Sequence, residues 1–178
     1  MERDKQIGAA GELFVPEPLS RLEPSLPGFS IANWQSTIRH YVSCHPEYSG
    51  LQRPWVGHET SDIVYDDANG DFTKLLIDKG YLDAGMWTGA RPRYYVEVKA
   101  TTKICSTRFF MSKNQYRRMQ EKTNGNGNRA AVYIIFRFRV FNLETGNIGL
   151  KILVDPESMR VRDEVLFTVE SWSVVTAD

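Results

Sequence analysis

Glu97 and Lys99 stand two residues apart in the run Arg93-Tyr94-Tyr95-Val96-Glu97-Val98-Lys99, and that spacing decides what they can do together. In an extended strand alternate side chains share a face, so a carboxylate and an ammonium emerge side by side with the Val98 carbonyl lying between them. Asp62, in Ser61-Asp62-Ile63-Val64-Tyr65, offers a second carboxylate from another predicted strand. A hard cation such as Mg²⁺ or Mn²⁺ takes oxygen ligands. Asp62, Glu97 and the Val98 carbonyl therefore form a candidate metal set, with waters filling the remaining positions. Water on such a cation is acidified and a phosphoryl oxygen is polarised, while Lys99 orients that water or offsets charge on a phosphate. The implied reaction is phosphodiester hydrolysis, with Asp62, Glu97 and Lys99 as the candidate catalytic residues. A plainer reading competes with it, since Glu and Lys on one strand face can form a solvated or cross-strand pair worth ~0.2–1 kcal/mol. The strand is otherwise Tyr and Val, however, and inside a sheet charged residues are rarely left without a partner or a metal.

The elements that must position these residues can be read from periodicity and turn chemistry. Residues 93–101 form the clearest strand, with Tyr95, Glu97 and Lys99 alternating against Tyr94, Val96 and Val98. Asp66-Asp67-Ala68-Asn69-Gly70 stops the Asp62 strand. Ile7, Ala10 and Phe14 recur at helical spacing and predict a helix over 3–15, which Pro16 and Pro18 end or kink; Glu12 falls on the side opposite that stripe, nominally toward solvent. Ser112-Lys113-Asn114-Gln115 has the capping-box pattern and opens a predicted helix to about residue 123. Residues 131–141 read as a long central strand, Glu144-Thr145-Gly146-Asn147 as a turn, and 148–154 as the returning strand. Further strands are expected over 29–38, 109–111 and 165–169, a helix over 72–79, and irregular structure over 43–60 and 80–92. About 35 residues separate Asp62 from Glu97, which makes the 67–92 segment an excursion from the sheet edge.

A chain of 178 residues, 42% hydrophobic and 12% aromatic, is expected to form a single domain spanning residues 1–178. No apolar run approaches membrane-span length, and the start MERDKQIGAAGELF has no signal-peptide pattern, so an intracellular location, nuclear or cytoplasmic, with no membrane partner is expected. Cys44 and Cys105 are too few for a disulfide framework. The net charge is zero, but ten basic residues and one acidic residue fall between Lys99 and Arg139, an excess of +9 that the rest of the chain cancels. Such a segment either meets a polyanion or is an ordinary solvated face. On the first reading Lys103, Arg108, Lys113, Arg117 and Arg118 are the candidate nucleic-acid contacts. His40, Cys44, His45 and His58 follow no zinc-finger spacing, and Trp34, Trp55, Trp87, Tyr94 and Tyr95 fit a core at least as well as a base-stacking surface.

Taken in order, Gly11-Glu12, Ser61-Asp62-Ile63, Tyr95-Val96-Glu97-Val98-Lys99 and Met111-Ser112-x-x-Gln115 resemble the NO VEIN C-terminal domain family across most of the chain. The resemblance implies a PD-(D/E)XK restriction-endonuclease-like fold of the α/β (α+β) class, a mixed sheet flanked by helices, with Asp62, Glu97 and Lys99 at its catalytic positions. It implies accessory roles for Glu12, from the first helix, and Gln115, which has an equally complete explanation as the capping partner of Ser112. The function so implied is a metal-dependent nuclease-like domain acting on or binding nucleic acid. The alternative is a catalytically inactive binding or protein-interaction module, because domains of that family commonly form the carboxy-terminal part of longer proteins with an ATPase-like region. Fold alone does not choose between them.

Overall fold

The computed structural model describes residues 2–43, 46–53, 55–58, 60–101, 105–124, 127–142 and 147–168. Within them the chain forms a mixed α/β structure around one four-stranded sheet. Its strands are β1 (Ile63–Asp66), β2 (Arg93–Thr101), β3 (Ala131–Asn142) and β4 (Asn147–Val154), in the order β1-β2-β3-β4. β1 runs antiparallel to β2, with Ile63 opposite Val96; β2 runs parallel to β3, with Glu97 opposite Ile135; and β3 runs antiparallel to β4. The parallel step requires a crossover. That connection contains α5 (Lys113–Glu121).

Period two sorts the central strands into two faces. Even-numbered residues, among them Tyr94, Val96, Val98, Val132 and Ile134, join Ala9, Trp34 and Phe72 in the larger core. This face is covered by α1 (Glu2–Leu13), α2 (Pro16–Ser20), α3 (Asp71–Asp78), α4 (Ala84–Trp87) and 3₁₀ turns at Ile31–Asn33, Arg39–Val42 and Pro46–Leu51. Odd-numbered Tyr133 and Ile135 meet Met119 of α5 and Leu153 of β4 in a second cluster, flanked by Met159 of α6 (Pro156–Val161). α1 approaches β2 very closely: a Cβ on Gly11 would lie 2.3 Å from the Ala100 Cβ, so the helix can rest there only because position 11 has no side chain.

Local chemistry explains the helix starts. Asp67, buried beyond the end of β1, accepts from the backbone of Phe72 and Thr73 and so anchors α3. Ser112 and Gln115 make the reciprocal capping box at α5. Asp155 caps α6, an element absent from the sequence reading although Asp155-Pro156 is a ready start signal.

Several expectations are corrected. Residues 29–38 form no strand: Ser30 and Asn33 exchange side-chain to backbone hydrogen bonds that curl the chain into a 3₁₀ turn, and only an isolated bridge from Trp34 to Ile63 remains. Residues 109–111 form no strand; Phe109 and Met111 pack against the second cluster instead. In 165–168 no strand forms; Val165 and Phe167 pack onto the second cluster, where Phe167 meets the Tyr116 ring at 5.4 Å, without pairing to the sheet. Val169 and the 143–146 turn fall outside the described residues. The stripe assigned to α1 holds only at Phe14, which packs against the core, since Ile7 is 49% exposed and Ala10 is exposed whereas Ala9 and Glu12 are buried. No helix among the described residues is long and apolar enough to cross a membrane.

Candidate metal-carboxylate site

The backbone pattern of β2 leaves an open edge beside Glu97. Arg93 donates its N–H to Ala130, at the start of β3, so residues 93, 95, 97 and 99 direct their backbone groups toward β3, and 94, 96 and 98 direct theirs toward β1. β1 begins at Ile63, opposite Val96, and has no residue left to pair with Val98. Asp62 fills that place with its side chain: the Val98 N–H donates to Asp62 Oδ2 at 2.7 Å. The Val98 carbonyl, on the same side of the strand as its N–H, faces the same edge. Asp62 itself is held from behind, where Gln35 donates its N–H to the Asp62 carbonyl at 2.7 Å.

Glu97 is 1% exposed, which excludes the solvated-pair reading of Glu97 and Lys99. Its register partner on β3 is Ile135, so a cross-strand cation is not what stabilises it either. Gln115 Nε2 donates to Glu97 Oε2 at 2.7 Å, Lys99 Nζ lies 3.9 Å from the same oxygen, and Lys99 Nζ donates to Gln115 Oε1 at 3.2 Å. Gln115 thus plays both parts weighed for it, since its Oε1 also accepts the Ser112 N–H of the capping box at 3.0 Å. Glu97 Oε1 and the Tyr133 hydroxyl, both buried, have no hydrogen-bond partner among the described residues; they influence one another's ionisation without a well-formed bond. Burial first, and the neighbouring Asp62 charge second, push the Glu97 carboxyl up to about 9, against the opposing pull of Lys99, Tyr133 and Arg118.

The donor set therefore fits a divalent cation. Asp62 and Glu97, near enough for the Asp62 charge to raise the Glu97 carboxyl, stand beside an edge carbonyl: all are hard oxygen ligands of the kind Mg²⁺ and Mn²⁺ take. Among the described residues no group of three or more His, Cys, Asp or Glu side chains is placed to hold a metal, so a cation here would rest on Asp62, Glu97, the Val98 carbonyl and water. Glu12 is buried, and its Oε2 accepts from the Trp34 indole at 2.8 Å.

No family model, curated protein or solved structure matches this chain.

The predicted basic surface divides on inspection. Arg108, Lys113 and Arg117 are exposed; Arg118 is half-buried, donates to the Thr60 carbonyl and bears on Glu97; Lys103 lies outside the described residues. Arg137, counted in the same excess, is buried and donates to the Lys99 and Ala100 carbonyls at 3.0 Å each. Trp34, Trp87 and Tyr94 belong to the core. His40 is half-buried against the Thr37 carbonyl, and Cys44 and His45 lie outside the described residues. Sequence reasoning missed Tyr133, which strand patterning cannot separate from a core tyrosine, and the role of Arg118, which its position three residues after Gln115 on one helix face could have shown.

Proposed function

We propose that this chain is a metal-dependent, nuclease-like domain of restriction-endonuclease-like architecture that hydrolyses phosphodiester bonds in nucleic acid. The resemblance to the NO VEIN C-terminal domain family supports the same architecture and the same site positions, while that family's place in longer ATPase-containing proteins belongs to the inactive-module alternative. The observation that carries it is the buried Glu97 carboxylate beside Asp62 at the strand edge, with Lys99 on the same strand face. Asp62, Glu97 and the Val98 carbonyl would hold Mg²⁺ or Mn²⁺, which when bound polarises a phosphoryl oxygen and makes water a better nucleophile. Lys99, its ammonium 3.9 Å from Glu97 Oε2, would offset negative charge developing on a phosphate held there. Gln115 fixes both Lys99 and Glu97, so neither is free to turn away. Exposed Arg108, Lys113 and Arg117 attract the phosphate backbone.

One observation favours the inactive binding module instead: Glu97, Gln115 and Lys99 already form a closed polar cluster that is partly satisfied without a cation. Cleavage of single-stranded, duplex and branched substrates in Mg²⁺ and in Mn²⁺, run beside Lys99→Ala, separates the two. The nuclease reading expects cutting that Lys99→Ala abolishes while folding and binding persist. Binding without cutting in every condition would favour the inactive module, and cutting that survives Lys99→Ala would show that the site is elsewhere.

A further inference from the structure

Phe110 is 69% exposed, more than any other described Phe, Tyr or Trp, while its neighbours Phe109 and Met111 both pack against the second core cluster. The backbone on either side is thereby held, and the Phe110 ring is turned outward a short chain path from the site. Two residues on, about 7.6 Å of Cα path, the Ser112 N–H donates to the Gln115 Oε1 that also accepts from Lys99. Arg108 and Lys113 flank the ring in sequence and are exposed, and no acidic residue occurs between Glu97 and Glu121. A lone exposed apolar side chain needs no explanation. An aromatic ring bracketed by cations at the rim of a carboxylate site is different, because it pairs a surface for a base with charges for the adjoining phosphates.

The site itself is recessed, since Glu97 is 1% exposed, Asp62 5% and the Lys99 side chain 19%. A stiff duplex keeps its base faces stacked inside and presents only its outer contour, whereas a single strand bends one phosphate inward and frees a base face for a ring. We infer that the substrate is single-stranded nucleic acid, and that Phe110 is a positioning residue that stacks on a base beside the scissile phosphate while Arg108 and Lys113 take the flanking phosphates. This rests on the nuclease reading above.

Anisotropy of a fluorescein-labelled oligo-dT strand and of its duplex with oligo-dA, at one low salt concentration, tests it with the full chain, Phe110→Ala, Phe110→Leu and Phe110→Trp. Wild type should bind the strand more tightly than the duplex. Phe110→Ala should weaken strand binding about 5- to 150-fold, the ~1–3 kcal/mol that one base stacked on an aromatic ring contributes, and leave duplex binding and the thermal midpoint unchanged. Tryptophan should restore the loss, and leucine, equally apolar but without a ring face, should not. Preference for duplex, no strand preference, an unaffected Phe110→Ala or a fully competent Phe110→Leu overturns the inference and leaves the nucleic-acid reading standing. Absence of binding to either form removes both.

Discussion

Burying Glu97 has a consequence that requires no ligand. Its carboxyl is raised by burial and by Asp62, so in metal-free protein the folded state keeps a proton there that the unfolded chain releases near the ordinary glutamate value. Where the folded state binds the extra proton, stability falls as pH rises. Glu97 therefore contributes least destabilisation at acid pH, and that advantage is lost progressively until pH passes about 9, at no more than ~1.4 kcal/mol per pH unit. In EDTA, denaturant midpoints measured between pH 5 and 9 should show wild type losing stability relative to Glu97→Gln; parallel profiles would mean that Glu97 is not the buried titrating group. The site was legible in the sequence to the extent that period two alone puts Glu97 and Lys99 on one face. Glu12 was not, because a helical stripe assumes that polar residues face water, and the Trp34 indole instead supplies Glu12 with a buried partner. The missing strand over 29–38 has a similar cause, in that β-forming residues were outweighed by the Ser30–Asn33 hydrogen bonds.

Among the elements, α5 and α1 meet the sheet by different means. α5 is tied by its capping box and by the two further bonds of Gln115. Ser112→Ala should cost ~0.5–2 kcal/mol, the usual loss for an N-cap. Gln115→Ala should cost more, because it also strips Glu97 Oε2 of a donor. Equal losses in urea melts would reduce Gln115 to a capping residue. α1 is placed by close approach at Gly11. Gly11→Ala should destabilise by ~1–3 kcal/mol through overpacking against Ala100, and Ala100→Gly in the same chain should recover part of that loss. Gly11 was visible in the sequence as part of a motif, but the reason for a glycine there appears only when helix and strand are brought together.

Over the whole molecule the +9 excess between Lys99 and Arg139 is not one surface. Arg137 is spent on β2 carbonyls and Arg118 on Thr60, which a linear count of charges cannot reveal, whereas Lys113 and Arg117 face outward. Replacing Lys113 and Arg117 by Gln should flatten the dependence of log affinity on log salt by about 1.4 on single strands, with little change in thermal midpoint. Arg118→Gln should lower the midpoint instead, and the opposite pattern would assign the phosphate contacts to the wrong residues. In the proposed function, a cation held by Asp62 and Glu97 would join sheet edge, helix α5 and basic rim. Its most direct measurement is the thermal midpoint of the full chain during Mn²⁺ titration, beside Asp62→Asn and Glu97→Gln. A cation bound there should stabilise wild type by ~2.7 kcal/mol at one hundred times its dissociation constant and leave both variants unmoved; an unresponsive wild type, or an equal rise in all three proteins, would contradict the site.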